Sequence, residues 1–284
     1  MPSFLRWLPS LPITPDLALI LSALVISLAA GLIALVRNRR LIAAPSEEGG
    51  DLGMLFDNPS SILPHVMELR DRLIKAGIAI GIATLVALLL TDQLLAVMAQ
   101  PAGGLQELQA IRVTEPFGVF FRISIVVGMI LASPYVIVQL WIFVAAGLRP
   151  NERRWFYLFV PFAILLFMIG VTFAYTVMLP VAVPFLLQFM GIQARPTLED
   201  YVKFVTNVLL WVGVSFEMPL VTFILAKAKL ITAKQLAQNW RIATVVIAIL
   251  AAVVTPTPDP INMGIVAAPL FVLYLLSIVL ALFA

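Results

Sequence analysis

The chain has 284 residues, of which 62% are hydrophobic and only 12% charged, with a net charge of +3 and no cysteine. A soluble domain carries about 45–50% apolar and about 25% charged residues, and no fold of this size has interior enough to hide the excess. Composition therefore excludes an ordinary soluble protein and, by its high hydrophobicity, a disordered one. What remains is a polytopic membrane protein without disulfides, thiolate metal sites or cysteine nucleophiles.

Seven apolar runs are predicted as spans. The first, Leu17 to Val36, is longer than a signal-peptide core of about 7–15 residues, and its basic cluster follows it instead of preceding it. Residues 1–40 are expected to be a retained N-terminal transmembrane anchor. Residues 41–64, rich in Gly, Pro and Ser, read as a cytoplasmic linker. The second run is Ala76 to Ala99, and the third is Ile123 to Leu148, interrupted by Pro134. The fourth is Trp155 to Leu179 and the fifth Phe204 to Ala226. The sixth, Ile242 to Val254, is short, and the seventh is Met263 to Ala284. Segments in lipid must satisfy their own backbone hydrogen bonds, and the alternating ten-residue pattern of a barrel is missing. The expected fold class is therefore all-α. Gln100 to Pro116 and Pro180 to Asp200 are expected as outer loops. The second holds Val181 to Met190, too short to span, which either lies flat on the outer surface or caps the bundle. Thr255 to Asn262 (TPTPDPIN) reads as a tight turn, because its prolines cannot continue a helix.

Basic residues mark the cytoplasmic side of membrane proteins. Arg37, Arg39 and Arg40 place the end of the first run inside. Counting onward, 13 of the 18 basic residues fall on that side and 5 on the other. The N-terminus is expected outside and the C-terminus in the cytoplasm.

The chain has one histidine, His65, and no phosphate-binding loop, nucleophile elbow or metalloprotease motif. No enzyme, cofactor, metal or nucleic-acid partner is expected. The charged groups near the apolar runs are more informative. In HVMELRDRL (His65 to Leu73), Glu68 and Arg72 are four apart, an ordinary helix-surface pair. In LRPNERRW (Leu148 to Trp155), three arginines surround Glu152, as a positive-inside anchor would. Read functionally, Glu68 and Glu152 are two carboxylates on one cytoplasmic surface, suited to a ligand presenting two guanidiniums. Glu217, in GVSFEMP, is placed about 20 Å from the outer end of the fifth run. A carboxylate in the hydrocarbon costs at least about 2.5–3.5 kcal/mol and is a functional-site hypothesis by default; the bland alternative is an internal pair with another helix. Asp259 reads as a turn residue satisfying backbone donors, and the FGVFF stretch from Phe117 as interface and packing residues.

Several long motifs in order resemble the TatC family, the large membrane subunit of the twin-arginine protein translocase. They are HVMELRDRL, TEPF (Thr114 to Phe117), ASPYVIVQLWIFVAAGLRPNERR (Ala132 to Arg154), FMIGVTFAYTVMLP (Phe167 to Pro180), GVSFEMP and VVTPTPDP (Val253 to Pro260). The resemblance implies a six-helix bundle over residues 65–284, with the first run as an extra helix. It implies binding of the twin-arginine signal peptides of folded cargo and export of that cargo across the prokaryotic inner membrane, using the proton-motive force. The implied partners are single-span TatA- and TatB-type proteins, with self-association in a larger complex. Carried over residue by residue, signal-peptide binding falls on Glu68 and Glu152, with Arg70 and Arg153 beside them. Intramembrane partner contacts fall on Glu217, Thr255 and Asn262, and outer-loop structural roles on Pro116, Phe117 and Asp259. The sequence departs from the family pattern in the extra first run, in Met263 where a glutamine is often found, and in Leu275 where an acid often follows the LY pair. The alternative left open by the residues alone is a proton- or ion-coupled small-solute transporter with Glu217 as its coupling acid.

Overall fold

The structure is a computed structural model. It describes residues 59–284 except 147–149, 189–194, 228, 256–259 and 284, and seven residues of the first run. At 59–65, 145, 146, 150–158, 261 and 262 it describes the backbone alone.

The elements are α1 (Pro59–Leu89), α2 (Thr91–Ala99), α3 (Glu115–Ala146), α4 (Pro150–Phe173), α5 (Leu179–Leu187), α6 (Leu198–Ser215), α7 (Met218–Lys227), α8 (Ala233–Gln238), α9 (Trp240–Val254) and α10 (Pro260–Leu282). Among the described residues, five helical stretches are long and apolar enough to cross a membrane: Val66–Leu89, Glu115–Val144, Phe159–Leu187, Leu198–Lys227 and Met263–Leu282. The outward faces confirm the solvent. Ile74, Ile78, Ile82, Leu85 and Leu89 form a helically spaced stripe on α1, each more than half exposed. Such a stripe is stable only against lipid. Helix α9, with 15 residues, is about 22 Å long, short of a hydrocarbon layer of about 30 Å.

Four expectations need correction. Helix α1 starts at Pro59, inside the stretch read as linker, so HVMELRDRL belongs to one continuous 31-residue helix. The second run is two helices, because the chain turns at Leu90. There Thr91 Oγ1 donates to the Ala87 and Leu88 carbonyls and meets Ser124 Oγ of α3 at 2.7 Å, so a buried polar joint replaces continuous helix. The stretch from Val181 is neither a surface helix nor a separate cap. A π-helical turn at Ala174–Met178 carries α4 directly into α5, and Leu179, Ala182 and Val183 are buried. Pro180 is tolerated because it falls in the first turn of α5. The fifth run, finally, breaks at Phe216–Glu217, between α6 and α7.

Small residues set the closest approaches. Helix α1 packs chiefly on α3, and a Cβ added at Gly128 of α3 would stand 2.7 Å from the Thr84 Cα of α1. Helix α4 meets α6 reciprocally. Gly170 faces the Phe216 ring, with a Cβ there 2.8 Å from Phe216 Cγ, and Gly213 faces Val171. Of the first run, Val25, Leu28, Ala29, Gly31, Leu32, Ile33 and Val36 are described and helical. Gly31 is buried against Pro134 of α3.

The two stretches expected as outer loops meet at the end of the bundle where α3 begins. Gln109 N donates to the Pro196 carbonyl and Leu198 N to the Gln109 carbonyl. Tyr175 of the π-helical turn and Tyr201 of α6 donate to the Val97 and Met98 carbonyls, tying the end of α2 to both elements. The turn after α2 needs left-handed backbone at Gly103 (φ 92°) and Gly104 (φ 111°), which glycine adopts without strain.

Candidate functional site

Glu68 lies ten positions into α1, toward its Pro59 end. Its side chain is about one-third exposed, and both Nε and Nη2 of Arg72 donate to its Oε1. Arg70 does not join this pair. It lies on the surface, bonded to Asp71 at 2.8 Å. Glu68 is therefore a partly open acid whose resident cation is Arg72, a residue for which the sequence motif signals only an ordinary helix pair. Glu152 and Arg153 fall in the first turn of α4, and their side chains lie outside the described residues.

Glu217 sits in the break of the fifth span. The Glu217 N–H reaches only back to the Val214 carbonyl, and Leu220 N and Val221 N both donate to the Glu217 carbonyl. Pro219 removes one donor from the following turn, and Phe216 is wedged against Gly170 and the Phe173 ring, 5.7 Å between centroids. Both carboxyl oxygens of Glu217 are shielded from solvent and have no hydrogen-bond partner among the described residues. The expected internal pair with another helix is thus missing among the described residues. A buried polar atom without a partner costs about 1–3 kcal/mol or more, so this position is held against stability. The depth also changes: the span starts at Leu198, not Phe204. Glu217 then lies about 28 Å along it from that end and about 15 Å from Lys227. Its neighbours Ser215 and Met218 line a cavity of about 500 Å³ shared with Leu236, Asn239, Leu270 and Tyr274.

At the opposite end, Thr255 is buried and its hydroxyl donates to the Ala251 carbonyl at 2.9 Å. Asn262 is in the first turn of α10 with its side chain outside the described residues, and Asp259 lies wholly outside them. Pro116 is the second residue of α3, where a missing N–H leaves nothing unpaired. Phe117 is 70% exposed and stacks edge-on against Phe121. The buried member of TEPF is Glu115, whose Oε2 accepts from Ile111 N at 3.0 Å. The signal for it was present: an acid at the first position of a helix faces the positive end of the helix dipole.

These features meet known proteins at one point. The family model described as Sec-independent protein translocase protein (TatC) matches residues 64–269. The chain belongs to the TatC family. It is 40% identical over 230 residues to the Sec-independent protein translocase protein TatC of Carboxydothermus hydrogenoformans, covering 80% of this chain and 95% of that one. It is 36% identical to TatC of Deinococcus radiodurans, covering 78% and 85%. A crystal structure of the twin-arginine translocase receptor TatC superposes with a TM-score of 0.71 at 34% identity, covering 77% of this chain and 98% of that chain. Family membership makes this multi-pass chain a component of a protein translocase, a transport protein and not an enzyme, and sets aside the small-solute alternative. The family match begins just before the HVMELRDRL motif.

Proposed function

We propose that this translocase subunit recognises twin-arginine signal peptides at the Glu68 end of the bundle, on the cytoplasmic face of the inner membrane, and docks single-span TatA- and TatB-type partners at Glu217. Glu68 and the first turn of α4 with Glu152 supply two acids for the two guanidiniums of the signal. The arginine fork pairs with carboxylate through charge-assisted hydrogen bonds that lysine cannot match. The observation that carries the docking half is the orphaned pair of Glu217 oxygens. A polar side chain on a partner's transmembrane helix would satisfy them, the kind of contact that associates helices in lipid. Residues 1–40 add an anchor, with the N-terminus outside and the C-terminus inside. Pro116, Phe117 and Asp259 shape the outer end, and Thr255 and Asn262 flank the turn that partner helices approach.

The test is photo-crosslinking of a twin-arginine peptide and its twin-lysine control to the membrane-embedded chain. Glu68→Ala and Glu152→Ala should each weaken binding by roughly 10- to 150-fold, the range for losing one charge-assisted pair, and lower the preference for arginine over lysine. Unchanged binding in the double substitution removes these acids from the site.

A further inference from the structure

We propose that Arg122 is a phospholipid site: its guanidinium, fixed between α3 and α6, takes the phosphate of an anionic lipid in the leaflet on the Pro116 side. This goes beyond the receptor reading and does not depend on it.

Arg122 Nε donates to Thr206 Oγ1 at 2.9 Å, and Nη2 donates to Asn207 Oδ1 at 2.8 Å. Thr206 is fully buried and passes its own proton to the Val202 carbonyl. The guanidinium is thus held rigidly by two neutral acceptors. A guanidinium has five N–H groups and stays charged in proteins, so three donors and the whole charge are left over. Among the described residues Arg122 makes no ion pair. Three acids near this end bond elsewhere: Glu115 to Ile111 N, Glu199 to Lys203, and Asp200 to Thr197.

Depth decides what can reach it. The spans Glu115–Val144 and Leu198–Lys227 have 30 residues each, about 45 Å, which matches a bilayer of about 40–45 Å including headgroups around about 30 Å of hydrocarbon. Each headgroup layer therefore covers about 7 Å of helix. Arg122 lies about 10 Å below the start of α3, a few ångströms under the boundary. A charge at that depth is unstable alone, and Thr206 and Asn207 hold its head about 12–14 Å below the start of α6, a few ångströms under the headgroup boundary. The lipid phosphates lie just above it, and a planar guanidinium donates to phosphate oxygens two at a time. Flanking Arg122 on α3, Phe117, Phe121 and Ile125 are 70%, 41% and 41% exposed, an apolar surface for the acyl chains of the same lipid.

The experiment uses the full chain purified in a neutral detergent and titrated with phosphatidylglycerol or phosphatidylcholine, with bound lipids counted by native mass spectrometry. The intact protein should hold one phosphatidylglycerol at least about tenfold more tightly than phosphatidylcholine. Arg122→Gln should lose that molecule, and Arg122→Lys should keep it with weakened affinity, while other lipid adducts persist in both. Millimolar inorganic phosphate should not displace it, because the acyl chains contribute. Equal retention in the intact protein and Arg122→Gln overturns the proposal, as does indifference of the intact protein to the headgroup. Full displacement by inorganic phosphate overturns the lipid assignment and leaves a soluble-anion site.

Discussion

Gly128→Ala adds a single methyl at the crossing of α1 and α3, and the structure fixes what that methyl meets. It would collide with Thr84 Oγ1 and stand 2.7 Å from both Cα and N of Thr84. Rotating the threonine clears the first contact but not the other two, which are backbone. Non-bonded heavy atoms rest about 3.5–4.0 Å apart, so α1 must move off α3 by about 1 Å. Overpacking of this kind costs about 1–3 kcal/mol, equivalent to a fall in melting temperature of about 2–12 °C for a chain of this size. The displacement propagates, because Glu68 sits on the same rigid helix about 24 Å from Thr84. In the proposed two-acid site, its position relative to Glu152 shifts with it. Two measurements follow: thermal unfolding in detergent, and twin-arginine peptide affinity in membranes. Both should fall in Gly128→Ala. Gly81→Ala is the control, since nothing lies within 4 Å of a Cβ there, and both readouts should stay at the parent level. A melting temperature unchanged in Gly128→Ala would refute the account of this contact. Lowered stability with intact peptide affinity would refute the link from the crossing to the acidic site.

Two further outcomes are expected. Glu217→Gln keeps shape and hydrogen-bonding capacity and should retain partner crosslinks and much of the transport. Glu217→Ala should lose partner association by about 5- to 30-fold, the yield of one interhelical hydrogen bond in lipid, while peptide binding at the Glu68 end persists; equal inactivity of both with crosslinks intact would sink the docking role and favour a titrating one. Gly170→Ala drives a methyl to within 2.8 Å of the Phe216 ring and should lower thermal stability by about 1–3 kcal/mol. Adding Phe216→Leu should restore part of it, and failure of that rescue would show that the ring is not what Gly170 accommodates.

Composition and hydropathy carry the solvent, the helical class and the order of the apolar runs, though not how many unbroken helices they make. Hydrophobicity over 20 residues is a local quantity, and in lipid it leaves the backbone few alternatives. Counting along the chain also puts Glu217 within the fifth run, as the span Leu198–Lys227 has it, but it does not find that Glu68 lies ten positions inside one continuous helix. Where helices would break or continue was decided by the tertiary structure. The turns at Leu90 and Phe216 depend on Ser124 and Gly170, residues distant in sequence, and the continuation through Pro180 depends on a π turn that no local pattern announces. The same holds for the partners of charge. Nothing along the chain pairs Arg122 with Thr206 and Asn207, more than 80 positions away. Nor can spacing show that the Glu217 oxygens face no donor among the described residues. Such facts exist only once helices pack, because a side chain's partner is fixed by the neighbouring helix and not by its own.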